Sequence, residues 1–223
     1  MAGEIAQKMK SIVRDRVNDK AGTRWSDPDI YAYLNEGQQA LAHYLCDGAL
    51  WQLTSVEQTD LVDATNNYDL PSDFLRERLV KYKTIVARRW TVEEIDALRA
   101  NPQTAPTEAN PFYYIWAGDI YFPEITVIQT NGDQCEIWYI KQPTDMSDAV
   151  DPDFGKQFHN LIEDFAVSRC LEQGDGDFGQ AEVQAAHFLE QCLLINSRYR
   201  GGSSFEGIPA DPRLSVLIPG GNQ

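Results

Sequence analysis

The side chains of this chain that could do chemistry are scattered rather than gathered into motifs. Its three histidines, His43, His159 and His187, fall in three separate predicted helices and do not pair locally. The carboxylate pair Glu163-Asp164 is adjacent in sequence, and neighbouring residues of a helix point in different directions, so the pair is not an acid–base dyad. No P-loop, GxSxG or HExxH pattern occurs in the sequence. We therefore predict that the protein is not an enzyme.

One acidic, glycine-rich stretch, GDGDFGQ at residues 174–180, resembles part of a calcium loop. Asp175 and Asp177 occupy ligand-like positions one and three. Position twelve is Ala186, however, where an EF-hand loop requires a glutamate. A turn between two helices accounts for the same glycines better, so we predict no metal ion and no cofactor.

The composition is that of an acidic globular protein. The 223 residues are 43% hydrophobic and 24% charged, and they carry a net charge of −15, which repels nucleic acid. No run of 18 apolar residues could span a membrane, and the first residues lack the apolar core of a signal peptide. The scattered cysteines are predicted to be buried free thiols in a reducing cytoplasm: Cys46, Cys135, Cys170 and Cys192.

Both ends of the chain have helical periodicity. Apolar residues recur at spacings of three and four in residues 3–19, 26–47, 151–173 and 177–198, which predicts four main helices. Helices joined by short breaks form antiparallel pairs. We expect the two outer pairs to pack together as a helical bundle.

Local signals predict several features of these helices. Ser26 is the expected N-cap of the second helix, with Asp29 as its capping-box partner. Asp151, followed by Pro152, is expected to open the third helix. Gly37 lies on the apolar face of the second helix, where glycine costs about 1 kcal/mol relative to alanine. Its presence there predicts close packing against a neighbouring backbone.

The middle of the chain changes to the periodicity of strands. RLVKYKTIVARRW (78–90) alternates and is rich in β-branched residues, and CEIWYIKQP (135–143) predicts another strand. YYIWAGDIYF (113–122) predicts an aromatic hairpin with a Gly-Asp turn. Between them, Thr91 and Glu94 form a capping box for a short helix.

These elements predict an α+β fold. Residues 1–50 and 146–199 would form a four-helix bundle, and residues 51–145 a β-rich insertion. Residues 200–223 would form an extended C-terminal arm.

Two short stretches carry a resemblance to a known family. RWSDPDIYAYLNEGQQAL (24–41) and YDLPSDFLR (68–76) resemble segments of tailed-bacteriophage head-to-tail adaptor (connector) proteins. DIYFPEI (119–125) falls where that family has a second hairpin strand. The first stretch matches the family at these positions: Trp25, Asp27, Leu34, Asn35, Glu36 and Leu41. The resemblance extends over about residues 10–200.

The resemblance implies a structural virion protein at the head–tail junction, made in the host cytoplasm. Such proteins form rings, commonly dodecameric, that join the portal to the tail and extend the DNA channel. The implied partners are the portal protein, neighbouring copies of the chain, and the next tail component, a tail nozzle or tube protein. DNA would pass through the acidic channel without specific binding.

The arm contains a short apolar segment after a flexible tether. Glycines and serines in residues 200–207 give reach at low stiffness, and Pro212 and Pro219 bracket a stretch suited to strand addition. We predict that it binds the portal or a neighbouring subunit, although it could also fold back on its own domain. The predicted contact residues are Phe205, Ile208, Leu214, Val216, Leu217 and Ile218.

A second interface is predicted at the proline-rich loop of residues 101–111 and the hairpin that follows it. Long loops in compact domains are usually functional, and exposed aromatic residues mark interfaces. The predicted tail-facing or subunit-facing residues are Pro102, Pro106, Pro111 and Trp116.

Two other functions stay open at this point. A virion-associated peptidoglycan hydrolase could use two carboxylates distant in sequence, since a sequence shows no distances. A monomeric binding module is the third interpretation.

Overall fold

The computed structural model describes residues 3–62, 65–99, 107, 109–122, 133–174 and 178–199. The helices are α1 (Glu4–Arg16), α2 (Asp27–Tyr44), α3 (Val92–Arg99), α4 (His159–Gln173) and α5 (Phe178–Tyr199), with short 3-10 helices at Trp51–Leu53 and Lys156–Phe158. The strands are β1 (Thr54–Asp60), β2 (Asn67–Asp69), β3 (Phe74–Tyr82), β4 (Ile85–Val86), β5 (Arg88–Arg89), β6 (Phe112–Trp116), β7 (Asp119–Tyr121) and β8 (Gln134–Lys141).

The described residues fall into two compact units. One is drawn from Met1–Leu53 and Pro143–Gln223, and the other from Thr54–Gln142. The first unit contains α1, α2, α4 and α5, and the second contains α3 and the eight strands. The domain boundaries expected from the sequence stay a prediction.

The protein is α+β overall, but the predicted four-helix bundle with a distinct β-rich insertion is wrong. The described chain has five helices and two four-stranded sheets. Helix α4 is central and packs against α1, α2 and α5. It buries four consecutive residues, 161–164, whereas α5 buries one narrow stripe. Apolar periodicity identifies a helix, but it does not distinguish a central helix from a peripheral one.

The first turn of α1 is capped by a residue distant in sequence. The carboxylate oxygen Oδ1 of Asp151 accepts hydrogen bonds from the amides of Ile5, at 2.8 Å, and Ala6, at 3.1 Å. A carboxylate at this position satisfies amides that have no partner within the helix. The prediction that Asp151 opens the third helix is therefore wrong, and α4 instead begins at His159, after the 3-10 turn Lys156–Phe158.

Two predictions about α2 are confirmed. Ser26 Oγ accepts from the Asp29 amide at 3.3 Å, and Asp29 Oδ2 accepts from the Ser26 amide at 3.0 Å, which completes the capping box. Gly37 faces α4 closely, because a Cβ placed on it would lie 3.1 Å from the carbonyl oxygen of Ile162. The missing side chain lets the two helices approach at this point.

The second unit is built on two four-stranded sheets. The first has the order β1-β8-β3-β4 and is antiparallel. The second has the order β2-β7-β6-β5, in which only β5 and β6 run parallel. A buried cluster takes side chains from both sheets, among them Val80, Tyr82, Ile120, Phe122 and Ile137.

The hairpin predicted over residues 113–122 is confirmed as β6 and β7. Its turn is Ala117-Gly118, with φ values of 54° and 95°, and not the Gly-Asp pair. Two consecutive positive φ values suit the twist of a tight hairpin. The stretch at 78–90 also departs from its prediction, because a turn at Lys83 (φ 55°) divides β3 from β4, and β5 follows.

One smaller prediction is also confirmed, and another, the burial of all four cysteines, is wrong for Cys46. Thr91 Oγ1 accepts from the Glu94 amide at 3.3 Å and Glu94 Oε2 from the Thr91 amide at 2.8 Å, which forms the capping box of α3. All four cysteines are free thiols, and all but Cys46 are buried. Burial raises the pKa of the other three, Cys135, Cys170 and Cys192, to about 12, so these thiols are not reactive.

Candidate interaction surfaces

Lys10 on α1 connects α2 to the segment that precedes α4. Its Nζ lies 2.9 Å from Asp27 and 2.8 Å from Asp148, and the Tyr31 hydroxyl donates to the same Asp148 carboxylate at 2.7 Å. Burial disfavours the ammonium, but the hydrogen bonds to Asp148 and Asp27 outweigh it and hold the pKa of Lys10 above its ordinary value. Asp27, one of the residues that carry the family resemblance, therefore helps to hold α1 against α2.

A buried carboxylate organises the turn between α1 and α2. Asp19 accepts hydrogen bonds from the amides of Thr23, Arg24 and Trp25 at 2.9–3.2 Å, and Arg14 pairs with it at 3.1 Å. These backbone hydrogen bonds, that of Trp25 foremost, lower the pKa of Asp19 despite its burial. Sequence reasoning missed this residue, although a carboxylate just before a glycine turn is typical of such backbone binding.

The Leu-Asn-Glu part of the stretch RWSDPDIYAYLNEGQQAL (24–41) also makes its contacts within the first unit. Leu34 is fully buried, and Asn35 binds the backbone of Met146. Glu36 pairs with Arg169 of α4 at 3.2 Å. These contacts hold α2 against its neighbours, so the stretch has a structural role within the first unit.

The Leu-Pro-Ser-Asp-Phe stretch has the same kind of role in the second unit. The Asp73 carboxylate accepts from the Tyr139 hydroxyl at 2.9 Å, and its carbonyl accepts from the Gln142 amide at 2.7 Å. Phe74 stacks on the Tyr139 ring with 5.7 Å between centroids. Burial, together with the Asp73 carboxylate, raises the pKa of Tyr139. The stretch therefore attaches β3 to the end of β8.

Three exposed apolar side chains lie along the outer face of α5, with the exposed His187 and Glu190 between Val183 and Leu194 on the same side of the helix. Val183 is 64% exposed, Leu193 51% and Leu194 42%, while Phe188 and Cys192 on the opposite stripe are buried. Phe178 and Tyr199, at the two ends of the helix, are also exposed. We call Val183, Leu193 and Leu194 the α5 outer face. Sequence reasoning missed it, although the signal is present as apolar residues that lie off the buried stripe.

A second exposed row crosses the first sheet. Val56 of β1 is paired in register with Trp138 of β8, and the two are 39% and 38% exposed. The Lys81 ammonium lies 5.6 Å from the Trp138 ring and 2.8 Å from Glu136. The hydrogen bond from Lys81 lowers the pKa of Glu136, so this carboxylate is charged at neutral pH. The face combines one aromatic and one aliphatic side chain with an ion pair, as protein interfaces often do.

The predicted loop and hairpin residues differ in their exposure, and two of them lie outside the described residues. Trp116 is 62% exposed at the tip of the β6–β7 hairpin. Pro111 is buried, and its carbonyl accepts from the Arg88 amide at 2.9 Å, so it supports the sheet. Pro102 and Pro106 lie outside the described residues, as do all the predicted arm residues between Phe205 and Ile218.

One polar cluster lies beside a groove between α4 and α5. Asp164 pairs with Arg16 at 2.6 Å and with His187 Nδ1 at 3.0 Å. The groove has a volume of about 500 Å³, and its lining also includes Leu161 and Tyr199. Asp164 is shared between Arg16 and His187 and thereby connects α1, α4 and α5.

Two further findings concern metal binding and membrane-spanning helices in the described residues. Across residues 3–62, 65–99, 107, 109–122, 133–174 and 178–199, no group of three or more His, Cys, Asp or Glu side chains could hold a metal ion. In the same part of the chain, no helix combines the length and apolar character needed to cross a membrane.

The motif residues make their contacts within their own unit, and several apolar side chains stay exposed in each unit. The chain belongs to the SU10 adaptor protein family, whose model matches residues 6–203. The resemblance to phage head-to-tail adaptors is thereby confirmed. The protein is a phage structural adaptor and a component of the virion. No curated protein sequence matches the chain.

Proposed function

We propose that this adaptor forms a dodecameric ring at the head–tail junction, where it joins the portal to the next tail component. The observation that most directly supports subunit association is the α5 outer face. A peripheral helix that keeps Val183, Leu193 and Leu194 half exposed leaves apolar area in water, and such a patch marks an interaction site. In a ring, each copy would cover this face with part of its neighbour.

The charge distribution supports a channel through which DNA passes without specific binding. The net charge is −15, and the cationic groups of Lys10, Arg14 and Arg16 are each paired with an aspartate of the same subunit. Pairing of this kind removes cations from phosphate binding, because affinity for DNA depends on lysines and arginines free to contact phosphates. A ring of such subunits repels the DNA backbone along its length.

The partners along the ring axis would meet different parts of the chain. Trp116 lies exposed at a hairpin tip and is suited to anchor a contact with the tail component or with a neighbouring subunit. Residues 101–111 and the arm of residues 200–223 would enlarge the contact area with the tail component, the portal or a neighbouring subunit. The arm binds the portal or a neighbouring copy through Leu214–Ile218.

Negative-stain electron microscopy of the full chain mixed with its portal ring tests this function. The expected result is an added ring, coaxial with the portal, that contains one adaptor layer. The double variant Leu193→Glu with Leu194→Glu should remain folded, because both side chains are exposed, and should lose the added ring. Gln39→Glu, a charge added at an exposed position of α2, is the matched control and should retain the ring.

One result would contradict the proposal: an adaptor that stays monomeric in the presence of the portal, with portal particles unchanged. An intact added ring in the double variant would leave the ring in place and exclude the α5 outer face from the subunit interface.

A further inference from the structure

Strand β1 is the edge of the first sheet. It runs over Thr54–Asp60 and pairs with β8 on one side. Among the described residues, no strand lies on its other side. A seven-residue edge strand is long for an uncovered edge, and such edges accept an added strand.

The register identifies which backbone groups of β1 point outward. The Leu61 amide donates to the Asp133 carbonyl at 2.9 Å, and this pair continues the β1–β8 register. In an antiparallel ladder, hydrogen-bonded pairs alternate with non-bonded pairs. The odd-numbered residues of β1 therefore bond to β8. The amides and carbonyls of Val56, Gln58 and Asp60 point away from β8, toward the open edge.

The side chains of these three residues lie on the sheet face that carries Trp138. Val56 is directly opposite Trp138, and both are exposed. Gln58 is opposite Glu136 and donates to it at 3.2 Å. An added strand would therefore place alternate side chains beside Val56 and extend the exposed apolar row.

We propose that the segment Leu214–Ile218 of a neighbouring copy adds to this edge of β1 as an antiparallel strand. As a strand, the segment places Leu214, Val216 and Ile218 on one face. Pro212 and Pro219 end the paired stretch on both sides, because proline has no amide to donate. The inference rests on the proposed function, since it requires copies of the chain to be held together.

In the proposed antiparallel orientation, the pairing has one register. With Ile218 opposite Val56, Val216 falls opposite Gln58 and Leu214 opposite Asp60, so the three apolar side chains share the sheet face that carries Val56 and Trp138.

The tether allows the segment to reach another subunit. Residues 200–213 include three glycines and two serines, and an extended chain spans up to about 3.3–3.6 Å per residue. An arm that closed the β1 edge of its own subunit would leave neither the edge nor the arm available for assembly. We therefore assign the segment to a neighbouring copy.

Amide hydrogen exchange of the full chain, resolved by residue, tests the pairing. At concentrations where copies associate, the amides of Val56, Gln58 and Asp60 should exchange at least about 10-fold more slowly than in the Val216→Pro variant. Val216→Pro removes an amide from the centre of the added strand. The odd-numbered amides of β1, already bonded to β8, serve as the internal control and should not change. Ser204→Pro, in the tether, should retain the protection.

Disulfide formation identifies the copy that supplies the segment. In a Cys46→Ser background, the pair Val56→Cys with Ile218→Cys should give covalent dimers and higher oligomers under mild oxidation. The pair Glu57→Cys with Ile218→Cys is the control and should not cross-link, because residue 57 points to the opposite face of the sheet. Cross-linked monomers would assign the segment to its own subunit and overturn the proposal.

The failure of this inference is distinguishable from the failure of the proposed function. If the three amides exchange equally fast in the native chain and in Val216→Pro, the pairing is excluded. Rings that still assemble on the portal in Val216→Pro would then leave the proposed function intact. Protection that appears after the portal is added and persists in Val216→Pro would assign the β1 edge to a portal strand and likewise overturn the proposal.

Discussion

Asn35 of α2 binds both polar groups of the Met146 backbone. Its side-chain oxygen accepts from the Met146 amide at 2.7 Å, and its side-chain nitrogen donates to the Met146 carbonyl at 3.3 Å. Gln38, one turn later, donates to the carbonyl of Thr144 at 3.1 Å and accepts from the amide of Asp153 at 3.2 Å. Two amide side chains therefore give an irregular segment the backbone partners that a strand would otherwise provide.

Replacing Asn35 by alanine should destabilise the protein. The change leaves the Met146 amide and carbonyl without these bonds in a partly buried position, which costs about 1–3 kcal/mol. Urea unfolding followed by circular dichroism measures the loss. Asn67→Ala is the control, because Asn67 is exposed and its side chain makes one exposed hydrogen bond, to the half-buried Asp119. It should change the free energy of unfolding by less than about 0.5 kcal/mol. Equal effects of the two changes would contradict a structural role for Asn35.

Gly37→Ala should also destabilise the protein, although alanine favours helix by about 1 kcal/mol. The new Cβ would lie 3.1 Å from the Ile162 carbonyl oxygen and 3.3 Å from its Cγ2. Because the nearest atom belongs to the backbone of the central helix, relief requires α2 and α4 to separate, and overpacking of this kind costs about 1–3 kcal/mol. Thermal unfolding should show a lower Tm for Gly37→Ala and an unchanged Tm for Gln39→Ala, an exposed position on the same helix. A raised Tm for Gly37→Ala would show that α2 and α4 leave enough space for the added Cβ.

The features that the sequence predicted correctly are local. The capping boxes at Ser26 and Thr91 depend on residues three positions apart, and the hairpin at 113–122 depends on a turn between two aromatic runs. The close approach at Gly37 was predictable because a glycine on an apolar helix face usually marks a place where another backbone comes near.

The features that the sequence could not predict depend on partners distant in the chain. Asp151 suggested a helix start, but its carboxylate caps α1, about 145 positions earlier. The central position of α4 depends on which helices pack around it. The exposure of the α5 outer face depends on which stripe of α5 is covered by α4. The open edge of β1 follows from the pairing of β1 with β8, about 80 residues away in sequence.

Glu163 should make stability depend on pH between about 4.3, the ordinary value, and 7. Burial in α4 raises the pKa of Glu163 to about 7, because the nearby Arg16 and Lys8 only partly offset the desolvation. Across this window the folded state retains a proton that the unfolded chain has released, so the free energy of unfolding falls as pH rises. Glu163→Gln has no carboxyl group to titrate, so this fall in the free energy of unfolding should not occur in the variant. Relative to the native chain, it should gain about 1–3 kcal/mol of stability between pH 4 and pH 8.

Urea unfolding of both proteins at several pH values checks this dependence. Glu182→Gln, at an exposed position on α5, is the control and should follow the native chain at every pH. The raised pKa of Glu163 would be contradicted if the free energies of unfolding of Glu163→Gln and the native chain differed by the same amount at every pH from 4 to 8.

Truncation after Arg200 should leave the thermal stability of the isolated subunit nearly unchanged and abolish its stable attachment to the portal complex. Burying the apolar residues of Leu214–Ile218 contributes at most about 6–12 kcal/mol, and ordering five residues costs about 5–10 kcal/mol. One arm therefore binds weakly, and attachment requires many arms on one ring to bind together. Differential scanning fluorimetry measures the subunit, and co-sedimentation with the portal measures attachment. A truncated subunit that melts well below the full chain and still sediments with the portal would place the arm in its own core.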